Sequence, residues 1–286
     1  MFLLRHARAE LDGALLARRS FHGALSVYEQ RDNGIPVYRR LYHGNICHGD
    51  QSFRASNRGR PGSYYGPDTG VGLGLNLHPA RERGEMHIGA IGLGTGTLAA
   101  FGEAGDRMKF YEIDPLVEEI ARHQFRYLAD SRARVDVVLG DARVALRAEA
   151  EEGLEHRLDA LVVDAFSGDS IPVHLVTREA FDLYWKHLAE DGALIFHTTN
   201  RYLELSPVIA ALSNERGLRA VVIERDGMEG NESMFWSEWV VVTRNRALLH
   251  SLDQLGHSPL PEDTIDPAAA WSDDRTRLLA TMLDWF

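Results

Sequence analysis

From about residue 84 onward, strand-like and helix-like segments alternate along the chain, and this alternation limits the fold more than any other feature. Parallel strands need a crossover of a dozen or so residues between them, and a helix is the usual way to supply it. Strands are expected at 87–91, 109–113, 135–139, 160–164, 193–197, 220–224 and 238–243, with helices between the first six. The clearest helix is 115–128. Asp114 is placed to cap it, Pro115 suits its first position, and Glu118 and Glu119 face the positive end of its dipole. Leu116, Val117, Ile120, Phe125 and Leu128 form its apolar stripe. Only residues 225–237 separate the last two strands, which therefore read as an antiparallel pair at the sheet edge.

Upstream the pattern differs. Residues 1–20 carry leucines and alanines at roughly helical spacing with arginines between, and read as a short amphipathic helix or arm. Short strands are expected at 24–28, 37–42 and 45–47, with Asn33-Gly34 as a hairpin turn and a polar, Gly/Pro-punctuated loop at 54–63. The expected organisation is an arm (1–20), a small β domain and connector (21–80), and a Rossmann-like domain (81–286). The fold class is α/β, a Rossmann-like seven-stranded methyltransferase-type sheet with a small N-terminal β domain.

One cysteine in 286 residues leaves no disulfide framework within the chain. No apolar run approaches the ~18 residues of a membrane helix, so the chain is expected to be soluble and cytoplasmic, with no membrane contact of its own. The formal net charge of −11 disfavours nucleic acid; it would draw a small cationic substrate, but taken alone it reads as acidity that keeps the protein soluble.

The chemistry concentrates at the ends of successive strands. Gly92-Leu93-Gly94-Thr95-Gly96-Thr97 follows the first strand directly, where glycines let the backbone approach a ligand. The second strand ends in Tyr111-Glu112-Ile113-Asp114, and a carboxylate there can accept both ribose hydroxyls. The third ends in Gly140-Asp141-Ala142, where Asp141 can take an adenine amino group. That order specifies nucleoside binding. A dinucleotide fits less well: the third glycine of Gly-x-Gly-x-x-Gly falls one place early, and no basic residue follows for a pyrophosphate. The fourth strand ends in Asp164, at the switch point beside the glycine loop. Asp169 reads equally as a turn former or as a second acid. His43, Cys47 and His48 match no zinc spacing and read as satisfied strand or loop residues, so no metal is expected. Of Trp236, Trp239 and Trp271, which could wall a pocket or fill a core, Trp239 reads as core.

With these motifs the sequence resembles the spermidine synthase (polyamine aminopropyltransferase) family, within the class I S-adenosylmethionine-dependent methyltransferase superfamily. His48-Gly49-Asp50-Gln51, Ser63-Tyr64-Tyr65-Gly66, the run from Asp164 to His174 and Trp271-Ser272-Asp273-Asp274 resemble a divergent branch of it, often fused behind membrane-spanning segments. The resemblance implies a transferase using S-adenosylmethionine or its decarboxylated form as co-substrate. It would alkylate a small amine and release methylthioadenosine, and a homodimer is compatible with the family. Gln51, Gly92, Gly94, Thr95, Gly96, Glu112, Ile113, Asp141 and Ala142 would bind the nucleoside. Asp164 would take the proton of the attacking amine, with Tyr64, Tyr65 and Trp236 on the substrate side.

Three departures follow from the same resemblance. Thr95 stands where the family has an aspartate holding the donor's amino group. Residues 166–170 replace the family's Asp-Pro-x-Gly-Pro run, and Asn231 stands in place of a substrate-contacting tyrosine. Intact S-adenosylmethionine as donor for methyl transfer, lyase or cyclase chemistry is the alternative reading, and a nucleoside sensor is a weaker one.

Overall fold

The computed structural model describes residues 13–154, 157–165, 172–200, 202–226, 236–278 and 281–282. It begins with a four-stranded antiparallel sheet in the order β1 (Ala14–Ser20), β2 (Gly23–Asp32), β3 (Ile35–His43) and β4 (Ile46–Ser52). Asn33 and Gly34 turn β2 into β3 with φ of 49° and 80°. Two positive φ values in a two-residue turn match the natural twist of the strands they join. Residues 14–20 correct the sequence reading, because they form a strand and not a helix or free arm. Ala17, Arg18 and Arg19 lie opposite Ser26, Leu25 and Ala24 of β2. A helix this short is marginal in water on its own, so ladder pairing overrides a weak helical period. The rest of the expected arm, residues 1–12, lies outside the described residues.

After α1 (Gly70–Asn76) come β5 (His87–Ile91), β6 (Arg107–Glu112), β7 (Arg134–Leu139), β8 (Leu158–Val163), β9 (Leu188–His197), β10 (Arg219–Arg225) and β11 (Ser237–Thr243), and α1 packs on β9 and β11. Their order across the sheet is β10-β11-β9-β8-β5-β6-β7. Strands β5 to β9 are parallel, and β11 is antiparallel to both β9 and β10, giving the expected edge pair. Helices α2 (Pro115–Gln124), α3 (Ala142–Glu151), α4 (Arg178–His187) and α5 (Ser206–Asn214) fill crossovers, and α6 (Arg246–Gln254) follows β11. The crossover after β5 differs from expectation. It is a 3₁₀ turn, Thr97–Phe101, closed by Gly102, whose missing side chain leaves room for Ala133 and Met108. Side chains alternate between the two faces of the sheet, Ile91, Leu161 and Leu194 on one and Ala90, Val162 and Ile195 on the other. Among the described residues no helix is long and apolar enough to cross a membrane.

The two sheets meet through α2. Leu116, Ile120 and Phe125 are buried against Leu25, Val27 and Leu41 of the small sheet, each worth on the order of 2 kcal/mol relative to exposure. The helix stops at Gln124 and not at 128. Its last carbonyl accepts a hydrogen bond from Arg39 Nη1, and the Arg126 amide donates to Gln51 Oε1 at 2.8 Å instead of continuing the helical ladder. Tyr127–Asp130 then forms a separate helical turn.

Candidate active site

A cavity lies beyond the C-terminal ends of β5 to β8 and is roofed by the small sheet. Two glycines make its floor possible. Gly92 has φ 96°, and a side chain there would meet the Asp164 carbonyl oxygen at 2.1 Å; at Gly94, φ 54°, it would meet the His48 carbonyl oxygen at 2.9 Å. Only glycine allows β5, β8 and β4 to converge this closely.

Of the residues singled out from sequence, Gly92, Gly94, Glu112, Ile113, Asp141, Ala142, Tyr64 and Asp164 line this cavity. Glu112 accepts the Leu93 amide at 2.9 Å on one oxygen and the Asp114 amide at 2.8 Å on the other. Each oxygen keeps a second lone pair, enough for a vicinal diol. Burial pushes the Glu112 carboxyl up to about 7, against the pull of those amides. Asp141 caps α3 through the Val144 amide at 3.0 Å, and its other oxygen lies 3.3 Å from His174 Nε2.

Asp164 is the most constrained group. It accepts from His197 Nδ1 at 2.7 Å on one oxygen and from the Tyr65 hydroxyl on the other. Burial works to raise its carboxyl, but His197 and Tyr65 more than offset this and hold it below the ordinary range. The His197 ring is sandwiched between Tyr64, at 4.4 Å between centroids, and Trp239, at 4.5 Å. Aromatic stacking and the carboxylate together fix the imidazole.

The remaining described candidates lie outside the lining. Gln51 is fully buried, donating to the Arg58 carbonyl and accepting from Arg126, so it joins the small sheet to the end of α2. Thr95 is bonded to the Thr97 hydroxyl at 2.7 Å and packs against Gly49. Gly96 begins the 3₁₀ turn beside Leu128. Tyr65 reaches the site through its hydrogen bond to Asp164 and its contact with Tyr64, and Trp236 is 45% exposed just before β11. Asp169, the 166–170 run and Asn231 lie outside the described residues.

Sequence reasoning passed over the histidines. His22, His43 and His48 of the small sheet and His174 of the loop before α4 all line the cavity. No local pattern announces this, because His48 and Asp164 are far apart in sequence and meet only when the sheets dock. The C-terminal Trp271-Ser272-Asp273-Asp274 run also gains a role. Asp273 takes a bidentate bond from Arg143 at 2.8 and 2.7 Å and a third from Thr177, while Arg143 also donates to the His174 carbonyl. Among the described residues no group of three or more histidine, cysteine or carboxylate side chains is arranged to hold a metal ion.

No family model matches the chain. Over 128 residues it is 36% identical to a polyamine aminopropyltransferase of Vibrio vulnificus, a match covering 44% of this chain and 40% of that relative's length. The spermidine synthase of Thermotoga maritima superposes over 96% of this chain and 85% of its own with a TM-score of 0.56 at 16% identity. A spermidine synthase bound to the transition state analogue AdoDATO gives 0.55 at 16% identity, over 96% of this chain and 85% of its own. At such identity these structures speak for the fold alone. Over that local stretch the chain is similar in sequence to a polyamine aminopropyltransferase, and over nearly its whole length it shares the fold of spermidine synthases.

Proposed function

We propose that the protein is a transferase that binds S-adenosylmethionine or its decarboxylated form, passes the propyl-side chain to an aliphatic amine and releases methylthioadenosine. The observation that carries this reading is the grouping of the glycine loop, Glu112, Asp141 and Asp164 around one cavity at four adjacent strand ends. In it the ribose diol donates to Glu112, the adenine amino group to Asp141, and the sulfonium faces Asp164.

An aliphatic amine with a pKa of about 10 arrives as an ammonium and must lose a proton to attack. Asp164 is held ionised, so it attracts the ammonium and accepts its N–H. A carboxyl below the ordinary range cannot keep a proton taken from such an amine. Its contribution is therefore to gather and orient the nitrogen, and the proton ends in solvent. The nitrogen lone pair then forms the new C–N bond while the C–S electrons return to sulfur, leaving a neutral thioether that needs no acid. Positioning for in-line attack supplies most of the acceleration.

Mass spectrometry of the nucleoside product, after incubation with each donor and a series of aliphatic diamines, tests the proposal. Methylthioadenosine is the expected product. S-adenosylhomocysteine in its place would assign methyl transfer, and turnover of neither donor would leave a nucleoside-binding protein.

A further inference from the structure

We propose that the His48 imidazole recognises the polar end of the chain carried on the donor's sulfonium; this rests on the nucleoside reading above. His48 stands on β4 and lines the cavity with Tyr64, Gly94 and Asp164. Its Nε2 is buried and has no hydrogen-bond partner among the described residues. A buried nitrogen left in that state carries an uncompensated desolvation cost, which a ligand group in the cavity would relieve.

The geometry also removes the competing residue. Thr95 is 1% exposed, its hydroxyl is committed to Thr97, and a side chain at Gly49 would come within 2.5 Å of Thr95 Oγ1. Strand β4 thus covers Thr95 and presents His48 to the cavity instead. The His48 carbonyl lies tight against Gly94, which holds the strand in that position.

An imidazole here has different chemistry from a carboxylate. Burial, aided by neighbouring His43 and His197 and opposed by Asp164, pushes its pKa down to about 4, so it is neutral at physiological pH. A neutral imidazole carries one N–H and one lone pair and can exchange them between its nitrogens. It can donate to the carboxylate of intact S-adenosylmethionine or accept from the ammonium of the decarboxylated donor. A fixed carboxylate could only accept, and would repel the intact donor. The pocket should therefore hold both donors comparably.

Titration calorimetry of methylthioadenosine, S-adenosylmethionine and decarboxylated S-adenosylmethionine against wild type and His48→Ala, His48→Asn and His48→Asp tests the assignment. Methylthioadenosine lacks the polar chain end, so His48→Ala should bind it within about twofold of wild type while losing at least about tenfold for both donors. His48→Asn should restore both donors. His48→Asp should prefer the decarboxylated donor by at least about tenfold. Equal losses for all three ligands on His48→Ala, unchanged donor affinities, or equal donor binding by His48→Asp would overturn the assignment. Wild-type protein that binds none of the three would overturn the nucleoside reading itself.

Discussion

Glu112 offers a quantitative test of how the site is built, through the replacement Glu112→Gln. The side chain is 7% exposed and has its carboxyl raised from 4.5 to about 7, mainly by burial. At about 1.4 kcal/mol per pH unit, that rise corresponds to ~3 kcal/mol. The folded state binds this proton more tightly than the unfolded chain does. Its stabilising contribution is therefore complete below pH 4.5 and is lost as pH rises through 7. Glutamine has no such proton, so the stability of wild type relative to Glu112→Gln should fall by ~3 kcal/mol between pH 4.5 and 8. The difference must be measured, because His48, with its pKa lowered to about 4, works in the opposite sense over nearly the same range. Urea denaturation followed by fluorescence at half-unit pH intervals gives both profiles. Parallel profiles, within about 0.5 kcal/mol across the range, would refute the claim that burial of this carboxylate dominates its environment.

The same group should make methylthioadenosine bind about tenfold more weakly at pH 6 than at pH 8, since the diol needs the ionised form; calorimetry at the two pH values checks this. Asp164→Asn keeps the shape but removes the charge that gathers the ammonium, so kcat/KM for the amine should fall by at least about tenfold while affinity for the neutral methylthioadenosine stays within a few-fold; unimpaired turnover would leave Asp164 a purely structural residue. Thr95→Asp would place a carboxylate against Gly49, outside the cavity, and should cost at least ~2 kcal/mol in a denaturation series without changing donor preference. Asp273→Ala should weaken methylthioadenosine binding several-fold, because Arg143 then loses the bidentate partner that steadies it beside the His174 carbonyl; an unchanged dissociation constant would show that the loop holds without it.

Much of this protein can be read along the chain because its signals are local. All seven strands of the large sheet, the Asn33-Gly34 turn, the Asp114 cap and the edge pair were visible in periodicity and turn chemistry, each a matter of residues a few positions apart. So were Gly92, Gly94, Glu112, Asp141 and Asp164, because a parallel sheet brings the C-terminal ends of its strands to one rim wherever the crossovers run. What could not be read depends on docking between distant segments. Residues 14–20 became a strand because β2 offered them a ladder, and α2 ended at Gln124 because Arg39 and Gln51 took its last backbone groups. Thr95 left the cavity and His48 entered it for one reason, the close seating of β4 on the glycine loop. Tyr65 and His197 closed on Asp164 in the same way. Such pairings carry no signature in spacing, because their partners become neighbours only when buried apolar surface drives the two sheets together.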